Sequence, residues 1–245
     1  MKLSKLFYKA RNLSQQVSHT GCAAVIVAAG SAARMKGIDK IVSDLCGMPV
    51  ICRTLEAFDH APQVDEIVVV VRRDLMERVS ELCAAYPKVR IVVPGGETRL
   101  DSVIAGVEAV SENVKLIAIH DGARPLVSDD VIARTLLKAD KFGAAAPALP
   151  VKDTIRVAGP DGSLSTPDRK TLYAVQTPQA FDADLIRGAL YNAKKQHLSV
   201  TDDCSCVEAM GMKVQLTQGN EENIKITTPF DLELAKAFLN RRQAE

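Results

Sequence analysis

CAAVIVAAGSAARMKGIDK, at residues 22–40, is the stretch that decides the fold of this 245-residue chain. It opens with an uninterrupted apolar run over 23–28, a pattern typical of a strand buried on both faces of a parallel sheet. Gly30 then ends the run, at a point where the backbone must turn or pass close to a ligand. The stretch therefore predicts a first strand followed directly by a ligand-binding loop.

Similar apolar runs follow along the chain and alternate with helical patterns. The runs lie at 67–71, 89–93, 116–119 and 144–148, and the helical patterns at 49–61, 74–86, 100–110 and 129–142. Pro49 fits a first helical position, and Ser128 or Asp129 fits an N-cap. This alternation predicts an α/β protein with a mostly parallel sheet, whose ligands bind beyond the carboxyl ends of the strands.

Residues 150–173 interrupt the alternation. The segment 154–157 alternates like a strand, 159–162 is a Gly-Pro-Asp-Gly turn, and 163–166 can return. This predicts an inserted β-hairpin, which we call the arm (150–173). Because an isolated two-stranded ribbon is marginal in water, we expect the arm to pack on something, such as a second subunit. Beyond it, the pattern predicts helices at 182–196 and 203–210, a strand at 213–216 and a final helix from Pro229.

Composition excludes several classes of protein. Lysine and arginine number 31 against 30 acidic residues, so the net charge of +1 argues against nucleic-acid binding through a global basic field. Aromatic residues make up only 4% of the chain and Trp is absent, which leaves few platforms for stacking bases. No apolar run reaches the roughly 18–20 residues of a membrane helix, so we expect no stable membrane association.

The pattern predicts a single domain at 22–245, preceded by a basic extension at 1–21. The charged residues of this extension are Lys2, Lys5, Lys9 and Arg11, and the extension lacks the apolar stretch of a signal peptide. Apolar residues at helical spacing leave contact with a membrane surface open, beside a packed or frayed extension. The six cysteines include no CxxC pair, which favours buried thiols in a reducing compartment and predicts a cytoplasmic protein.

The loop after the first strand carries the first candidate site. It offers backbone amides and two cations, Arg34 and Lys40, a combination that holds a polyphosphate and neutralises charge during its transfer. It matches neither GxxxxGK[ST] nor GxGxxG, which excludes a P-loop and the dinucleotide fingerprint. An ordinary loop with basic surface residues is the alternative. The candidate nucleotide-binding residues here are Ala28, Ala29, Gly30 and Ser31.

A second candidate site, Gly-Gly-Glu-Thr-Arg-Leu-Asp-Ser at 95–102, follows the third strand. Gly95 and Gly96 allow the backbone to approach a flat ligand such as a base. Arg99 and Ser102, at the start of the next helix, can donate to phosphate or ribose. A simple Gly-Gly turn with a capped helix explains the same pattern, so the alternative stays open.

A third group lies at Ile-His-Asp-Gly-Ala-Arg-Pro, 119–125. Asp121 is placed to hold a divalent metal or a sugar hydroxyl, and Arg124 to pair with a phosphate. We assign His120 no general-base role, since a histidine at a strand end is more often structural. Further along, Thr-Asp-Asp at 201–203 has the pattern of a helix N-cap. Lys225, in a short apolar alternation, either snorkels or meets an anionic ligand.

In this order, these motifs resemble the 2-C-methyl-D-erythritol 4-phosphate cytidylyltransferases of the non-mevalonate isoprenoid pathway, over about 22–238. The matching motifs are A-A-G-x-x-x-R-M…K, G-G…R-x-D-S, H-D-x-A-R-P, T-P-Q, T-D-D and N-I-K-I-T-x-P-x-D-L. The resemblance implies a Rossmann-like nucleotidyltransferase sheet and an arm that interlocks a homodimer. It also implies transfer of a cytidylyl group from CTP to the sugar-alcohol phosphate, with Mg²⁺ and release of pyrophosphate.

The resemblance also implies roles for individual residues. Those expected at the triphosphate and the incoming phosphate are Arg34, Lys40, Arg169 and Lys225. Those expected at cytosine and ribose are Gly95, Gly96 and Ser102. Those expected at the methylerythritol hydroxyls are Asp121, Arg124, Thr201 and, from the arm, Thr154 and Arg169.

The chain departs from the family pattern at Ala32, Ala33, Ile41, Val42 and Gly122. The first four lie in or beside the nucleotide loop, so they bear on triphosphate affinity more than on the fold. Two alternatives therefore stay open. One is a cytidylyltransferase for another pentitol phosphate, such as ribitol 5-phosphate, and the other is a non-catalytic nucleotide-binding relative.

Overall fold

The structure is a computed structural model that describes residues 21–30 and 39–244. Its strands are β1 (Cys22–Ala28), β2 (Glu66–Val71), β3 (Val89–Pro94), β4 (Leu116–Asp121), β5 (Ala144–Pro150), β6 (Val157–Ala158), β7 (Leu164–Ser165), β8 (Tyr173–Val175), β9 (Gln179–Asp182) and β10 (Gln215–Gln218). Its α-helices are α1 (Val50–His60), α2 (Met76–Cys83), α3 (Arg99–Glu108), α4 (Asp129–Phe142), α5 (Ala183–Lys195), α6 (Asp203–Glu208) and α7 (Pro229–Ala244). The basic extension, apart from Gly21, lies outside the described residues, and the single-domain assignment stays a prediction.

The central sheet has the order β10-β5-β9-β4-β1-β2-β3, with β8 beside β5. β1 pairs in parallel with β2 on one side and β4 on the other, and Val25 is in register with Val68 and Ile119. The α/β class and the mostly parallel sheet are therefore confirmed.

The strand β1 explains why the sheet is buried on both faces. Ala24 and Ile26 point into a core cluster that includes residues of α1, α2 and α4. Ala23 and Val25 point into a second cluster that includes residues of α3, α5 and α6. Successive side chains of a strand face opposite sides, so an unbroken apolar run is what two helical layers require.

Two antiparallel strands were not predicted. β9 lies between β4 and β5 and is antiparallel to both, with Ile117 opposite Phe181. β8 is antiparallel to β5. Both strands are short, and the burial of β9 comes from its place between two longer strands rather than from a periodic pattern of its own.

The arm contains the predicted hairpin in a shorter form. β6 and β7 pair over two residues each, where the sequence predicted four, and Gly162 turns between them at φ 81°. The apolar side chains of Ile155, Val157 and Leu164 are exposed on this subunit. The hairpin therefore has little core of its own.

The helices follow the predicted pattern with small shifts at their ends. Pro49 is the N-cap of α1 rather than its first residue, and a 3₁₀ turn at Arg73–Leu75 precedes α2. α2 ends at Cys83 instead of 86, and β10 begins two residues later than predicted. All six cysteines are free thiols, five of them buried. Within 21–30 and 39–244, no helix is long and apolar enough to cross a membrane.

Candidate active site

A cleft of about 380 Å³ lies beyond the carboxyl ends of β1, β2 and β4. This is the edge at which parallel sheets bind ligands, and the volume is within the usual range of about 300–1,000 Å³ for small-molecule sites. Ala28 and Ala29 line it beside Gly30. Its other polar and glycine lining residues include Lys40, Arg72, Gly96, Arg99, Ser102, Asp121 and Lys225. The cleft therefore combines residues from all three strand-end clusters that the sequence singled out.

Asp121 lies at one wall of the cleft between two cations. Its Oδ2 is 2.9 Å from Lys225 Nζ and 3.3 Å from Arg124 Nε. Burial alone would raise the pKa of this carboxyl, but the charges of Lys225 and Arg124 outweigh it and lower the pKa to about 2. Asp121 is therefore ionised near neutral pH. It gives Lys225 a partner within the protein, and an anionic ligand at Lys225 stays a prediction.

A chain of buried hydrogen bonds, which we call the relay, fixes the backbone of Asp121 on the side away from the cleft. The Asp121 N–H donates to Thr177 Oγ1 at 3.1 Å, and that hydroxyl lies 3.0 Å from His120 Nδ1. The other ring nitrogen, Nε2, lies 3.2 Å from the Arg124 carbonyl oxygen. A carbonyl only accepts, so Nε2 carries the proton and Nδ1 accepts from Thr177. Burial lowers the pKa of His120 to about 3, which keeps the ring neutral and structural.

Arg124 ties this relay to the segment that carries Lys225. Its Nη1 donates to the Asn223 carbonyl oxygen at 2.7 Å, and the Asn223 side chain donates to the Thr177 carbonyl oxygen at 2.8 Å. The Ile226 N–H donates to the Ala123 carbonyl oxygen. Arg124 is thus buried behind the lining residues, where it joins three segments far apart in the sequence.

The opposite wall of the cleft is the start of α3. Thr98 and Asp101 form a reciprocal capping box, and the Gly96 N–H donates to Ser102 Oγ at 3.2 Å. A Cβ at Gly95 would lie 2.4 Å from Ala29 Cβ, and one at Gly96 would lie 2.3 Å from Asp101 Cβ. The glycines therefore allow close packing of the protein against itself. The turn-and-cap interpretation is confirmed, and the ligand interpretation stays a prediction.

Arg99 reaches from α3 to the start of α6. Its two terminal nitrogens lie 2.8 and 2.6 Å from the two carboxylate oxygens of Asp203, which is 1% exposed. Burial lowers the pKa of the guanidinium, but the adjacent carboxylate outweighs burial and raises it. Arg99 is thus a charged lining residue held by a buried partner, and sequence reasoning did not identify Asp203 as that partner.

Gln179 joins the T-P-Q and T-D-D motifs. Its Oε1 accepts from the N–H groups of Asp203 and Cys204 at 3.0 Å each, and its Nε2 donates to Asp202 Oδ2 at 2.8 Å. Asp202 also accepts from the Ser205 N–H, so the predicted N-cap is confirmed. Two motifs 22 or more residues apart therefore form one support for Arg99.

Lys40 is anchored by the residue that follows it. Ile41 departs from the family pattern, and it is buried in the core, with its carbonyl accepting from the Ile51 N–H at 2.9 Å. Val42, the other departure here, packs on the same cluster. These apolar departures thus stabilise the loop end next to Lys40. Ser31, Ala32, Ala33 and Arg34 lie outside the described residues.

Arg72 is a lining residue that sequence reasoning missed. It directly follows β2, so it lies at the ligand edge by the same strand-end rule that located Asp121. Its guanidinium pairs with Asp39 and Asp74. The sequence did hold a signal for Arg72, because this arginine comes directly after the apolar run 67–71. No glycine or histidine motif accompanies it, however.

Five predicted site residues that the structure describes are not among those that line the cleft of their own subunit. Gly95 and Arg124 lie beside lining residues, whereas the other three are exposed elsewhere. Thr154 and Arg169 are exposed on the arm, where Arg169 Nη1 donates to the Lys152 carbonyl oxygen at 2.8 Å. Thr201 is exposed just before α6. Their roles stay predictions.

A second cavity, of about 400 Å³, lies between α3 and α5. Its lining includes Ile104, Val107, Leu190 and Tyr191 and none of the residues at the strand ends. The cleft, with its converging charges, is therefore the better candidate for the active site.

The protein alone offers few side chains in the cleft that could bind a metal ion. Among the residues that the structure describes, no group of three or more His, Cys, Asp or Glu side chains is placed to hold a metal ion. The carboxylates of the lining are Asp121 and Glu97. Mg²⁺ is commonly bound by one or two carboxylates together with substrate phosphates, so this set fits a Mg²⁺ shared with a nucleotide.

Comparison with known proteins places the chain in one family. Residues 22–241 match the family model of IspD, 2-C-methyl-D-erythritol 4-phosphate cytidylyltransferase. Proteins of that name from Desulforamulus reducens and Caldanaerobacter subterraneus subsp. tengcongensis are 42% and 43% identical to it, over 89% of this chain and 96% and 98% of theirs. The crystal structure of the 4-diphosphocytidyl-2C-methyl-D-erythritol synthase from Anaerococcus prevotii superposes with a TM-score of 0.82 at 33% identity, over 91% of this chain and 97% of that one. The sheet, the cleft and these relatives agree, and the chain belongs to the 2-C-methyl-D-erythritol 4-phosphate cytidylyltransferase family.

Proposed function

We propose that this chain transfers a cytidylyl group from CTP to 2-C-methyl-D-erythritol 4-phosphate, giving 4-diphosphocytidyl-2-C-methyl-D-erythritol and pyrophosphate. One observation carries the proposal beyond family membership. Lys40, Arg99 and Lys225 line a single cleft at the carboxyl ends of the strands, together with Asp121. A reaction between two phosphate-bearing substrates needs such an arrangement of cations.

The chemistry requires no protein nucleophile. A phosphate oxygen of the acceptor attacks the α-phosphorus of CTP in line. The new P–O bond forms as the bond from the α-phosphorus to the bridging oxygen breaks, and pyrophosphate leaves with that electron pair. Catalysis is then positioning and stabilisation of charge, which preorganised cations supply. Lys40 and Arg34 are the proposed residues for the triphosphate.

The nucleoside is proposed to bind along the wall formed by α3. Gly95, Gly96 and Ser102 would border cytosine and ribose, and the segment Ala28–Ser31 would offer backbone groups. Arg99, fixed by Asp203, would donate to the nucleotide. The close packing of these glycines supports a rigid edge for a flat base.

The acceptor is proposed to bind at the wall formed by Asp121. Lys225 would hold its phosphate, and Asp121 and Thr201 would meet its hydroxyls. Arg124 would act through Asp121, which it holds from behind the lining. The relay through His120 fixes the backbone of Asp121, which favours a precise hydrogen-bond acceptor at that point.

Mg²⁺ is the proposed metal, with Asp121 as its protein ligand. When bound with the nucleotide, it would neutralise phosphate charge and help to orient the leaving group. Lys225, the present partner of Asp121, would hold the acceptor phosphate.

A homodimer joined through the arm is the proposed assembly. Ile155, Val157 and Leu164 expose apolar surface there, and Thr154 and Arg169 lie away from the cleft of their own subunit. A partner's arm would cover that surface and bring Thr154 and Arg169 to the acceptor side. We place the reaction in the cytoplasm, where the six free thiols would stay reduced.

Pyrophosphate release tests the reaction. Purified protein, CTP and Mg²⁺ are incubated with either methylerythritol phosphate or ribitol 5-phosphate. We expect release with methylerythritol phosphate only. Release only with ribitol 5-phosphate would identify a different pentitol phosphate as acceptor, and no release from folded protein would point to a nucleotide-binding relative.

Subunit exchange tests the dimer. Light scattering should give about twice the 26.4 kDa chain mass. An Arg169→Ala chain mixed with a Lys225→Ala chain should regain activity, because the mixed dimer holds one site with both residues intact. A monomer, or two inactive variants that stay inactive on mixing, would contradict the shared site.

A further inference from the structure

Arg72 bridges the residues before and after 31–38 in the loop that follows β1, which we call the nucleotide loop. Its Nη2 lies 2.5 Å from Asp39 Oδ2, and its Nη1 lies 3.4 Å from the Gly30 carbonyl oxygen. Gly30 and Asp39 are the residues that flank 31–38. One guanidinium therefore contacts the chain just before and just after that stretch.

The carboxylate of Asp39 binds both Arg72 and the backbone next to Lys40. Its second oxygen, Oδ1, accepts from the Ile41 N–H at 3.1 Å, so the side chain of Asp39 closes a short turn with Lys40 inside it. The carbonyl of Asp39 accepts from Ser43 Oγ at 2.7 Å. The orientation of Lys40 thus depends on where the carboxylate of Asp39 is held.

Arg72 is itself held by a second carboxylate. Its Nε and Nη2 lie 3.0 and 2.9 Å from the two oxygens of Asp74, within the 3₁₀ turn after β2. With two carboxylates against one guanidinium, little positive charge is left for a phosphate. An arginine serving mainly as a triphosphate ligand would not be expected between two acids.

We infer that Arg72 is a positioning residue that sets Lys40 at the triphosphate by fixing the carboxylate of Asp39. The inference rests on the proposed function, since it assigns Lys40 to the triphosphate of CTP. The rigid end of β2 supplies the fixed point, and the chain of contacts runs from Arg72 to Asp39 and on to the turn around Lys40.

Steady-state kinetics of Arg72→Met and Asp39→Asn tests the inference. Met keeps the apolar stem of Arg72, and Asn keeps an acceptor for the Ile41 N–H while replacing the oxygen that faces Arg72. Each variant should raise the KM for CTP roughly tenfold, the size expected for losing one charge-assisted hydrogen bond. The KM for methylerythritol phosphate should stay within about twofold, because neither Arg72 nor Asp39 contacts Asp121 or Lys225 at its proposed site.

The double variant and a control complete the test. Arg72→Met with Asp39→Asn should be no worse than either single variant, since both break one contact. Arg73→Met makes the same change at the exposed next residue and should match wild type. Thermal unfolding of each variant separates loss of fold from loss of positioning.

Two results would overturn the inference. If Asp39→Asn lowered the KM for CTP or left it unchanged while Arg72→Met raised it, Arg72 would be a phosphate ligand. If neither variant changed it, the contact would have no part in nucleotide binding. A wild-type protein that released no pyrophosphate would contradict the proposed function instead, and CTP affinity by calorimetry would still decide the role of Arg72.

Discussion

Gly106→Ala and Gly188→Ala are the same substitution in two helices, and we expect opposite effects on stability. A Cβ at Gly106, on α3, would lie 2.4 Å from Val25 Cγ1 and 2.6 Å from Val70 Cγ2. Carbon atoms in contact normally lie about 3.5–4.0 Å apart, so α3 must move by roughly 1 Å. Both valines are fully buried in the sheet and have little room to yield.

The magnitudes follow from two opposing effects. Alanine is favoured over glycine in a helix by about 1 kcal/mol, while overpacking a core costs about 1–3 kcal/mol. With two buried contacts at 2.4 and 2.6 Å, we expect the upper part of the overpacking range, about 2–3 kcal/mol, so Gly106→Ala should lower the free energy of unfolding by about 1–2 kcal/mol. Gly188, on α5, is exposed with nothing within 4 Å of a new Cβ, so Gly188→Ala should raise it by about 0.5–1 kcal/mol.

Urea unfolding, followed by far-UV circular dichroism at one fixed protein concentration, measures both changes. Gly106→Ala should also raise the KM for CTP, because α3 carries Arg99 and Ser102 to the cleft. Gly188→Ala should leave it unchanged. A Gly106→Ala variant as stable as wild type would refute the close packing of α3 on β1 and β2.

Three further predictions concern the charges of the cleft. Lys40→Ala and Arg34→Ala should each lower kcat by roughly 10²–10³-fold with an unchanged circular dichroism spectrum, and near-normal rates would remove them from the proposed mechanism. The pKa of Asp121 lies at about 2 in the folded protein, below its usual 3.8, so ionised Asp121 contributes stability above pH 4 that disappears as the pH falls through 2. Asp121→Asn should thus cost roughly 2 kcal/mol at pH 7, with the gap to wild type closing between pH 4 and 2 in urea titrations. Arg99→Met should destabilise by about 3 kcal/mol because it leaves Asp203 buried and unpaired, and adding Asp203→Asn should recover part of that loss; equal stabilities for the two would contradict the pairing.

The sequence predicted those parts of the fold in which local pattern and burial agree. β1 reads as a buried strand because its side chains enter two core clusters in turn. β9 was missed because three of its four residues are buried by β4 and β5, which lie far from it in the sequence. A window of neighbouring residues holds no sign of such a placement.

The candidate site divides in the same way. Asp121 ends β4 and Lys40 lies in the loop after β1, so the strand-end rule located them. Asp203 was read only as part of a helix start, because its partner Arg99 is 104 residues away and no spacing rule joins them. Arg169 cannot be placed from one subunit, since its proposed site belongs to two.

The direction of β9 has a consequence for how this protein can change over evolution. Because β9 is antiparallel to β5, the chain leaves the sheet at the carboxyl end of β5 and returns to it at the same edge. The whole arm is therefore an insertion whose two ends both lie at the ligand edge of the sheet, and it interrupts no strand of the parallel core. We expect it to behave as an exchangeable module: its length and sequence can diverge, and acceptor preference with them, while the nucleotide wall is inherited unchanged.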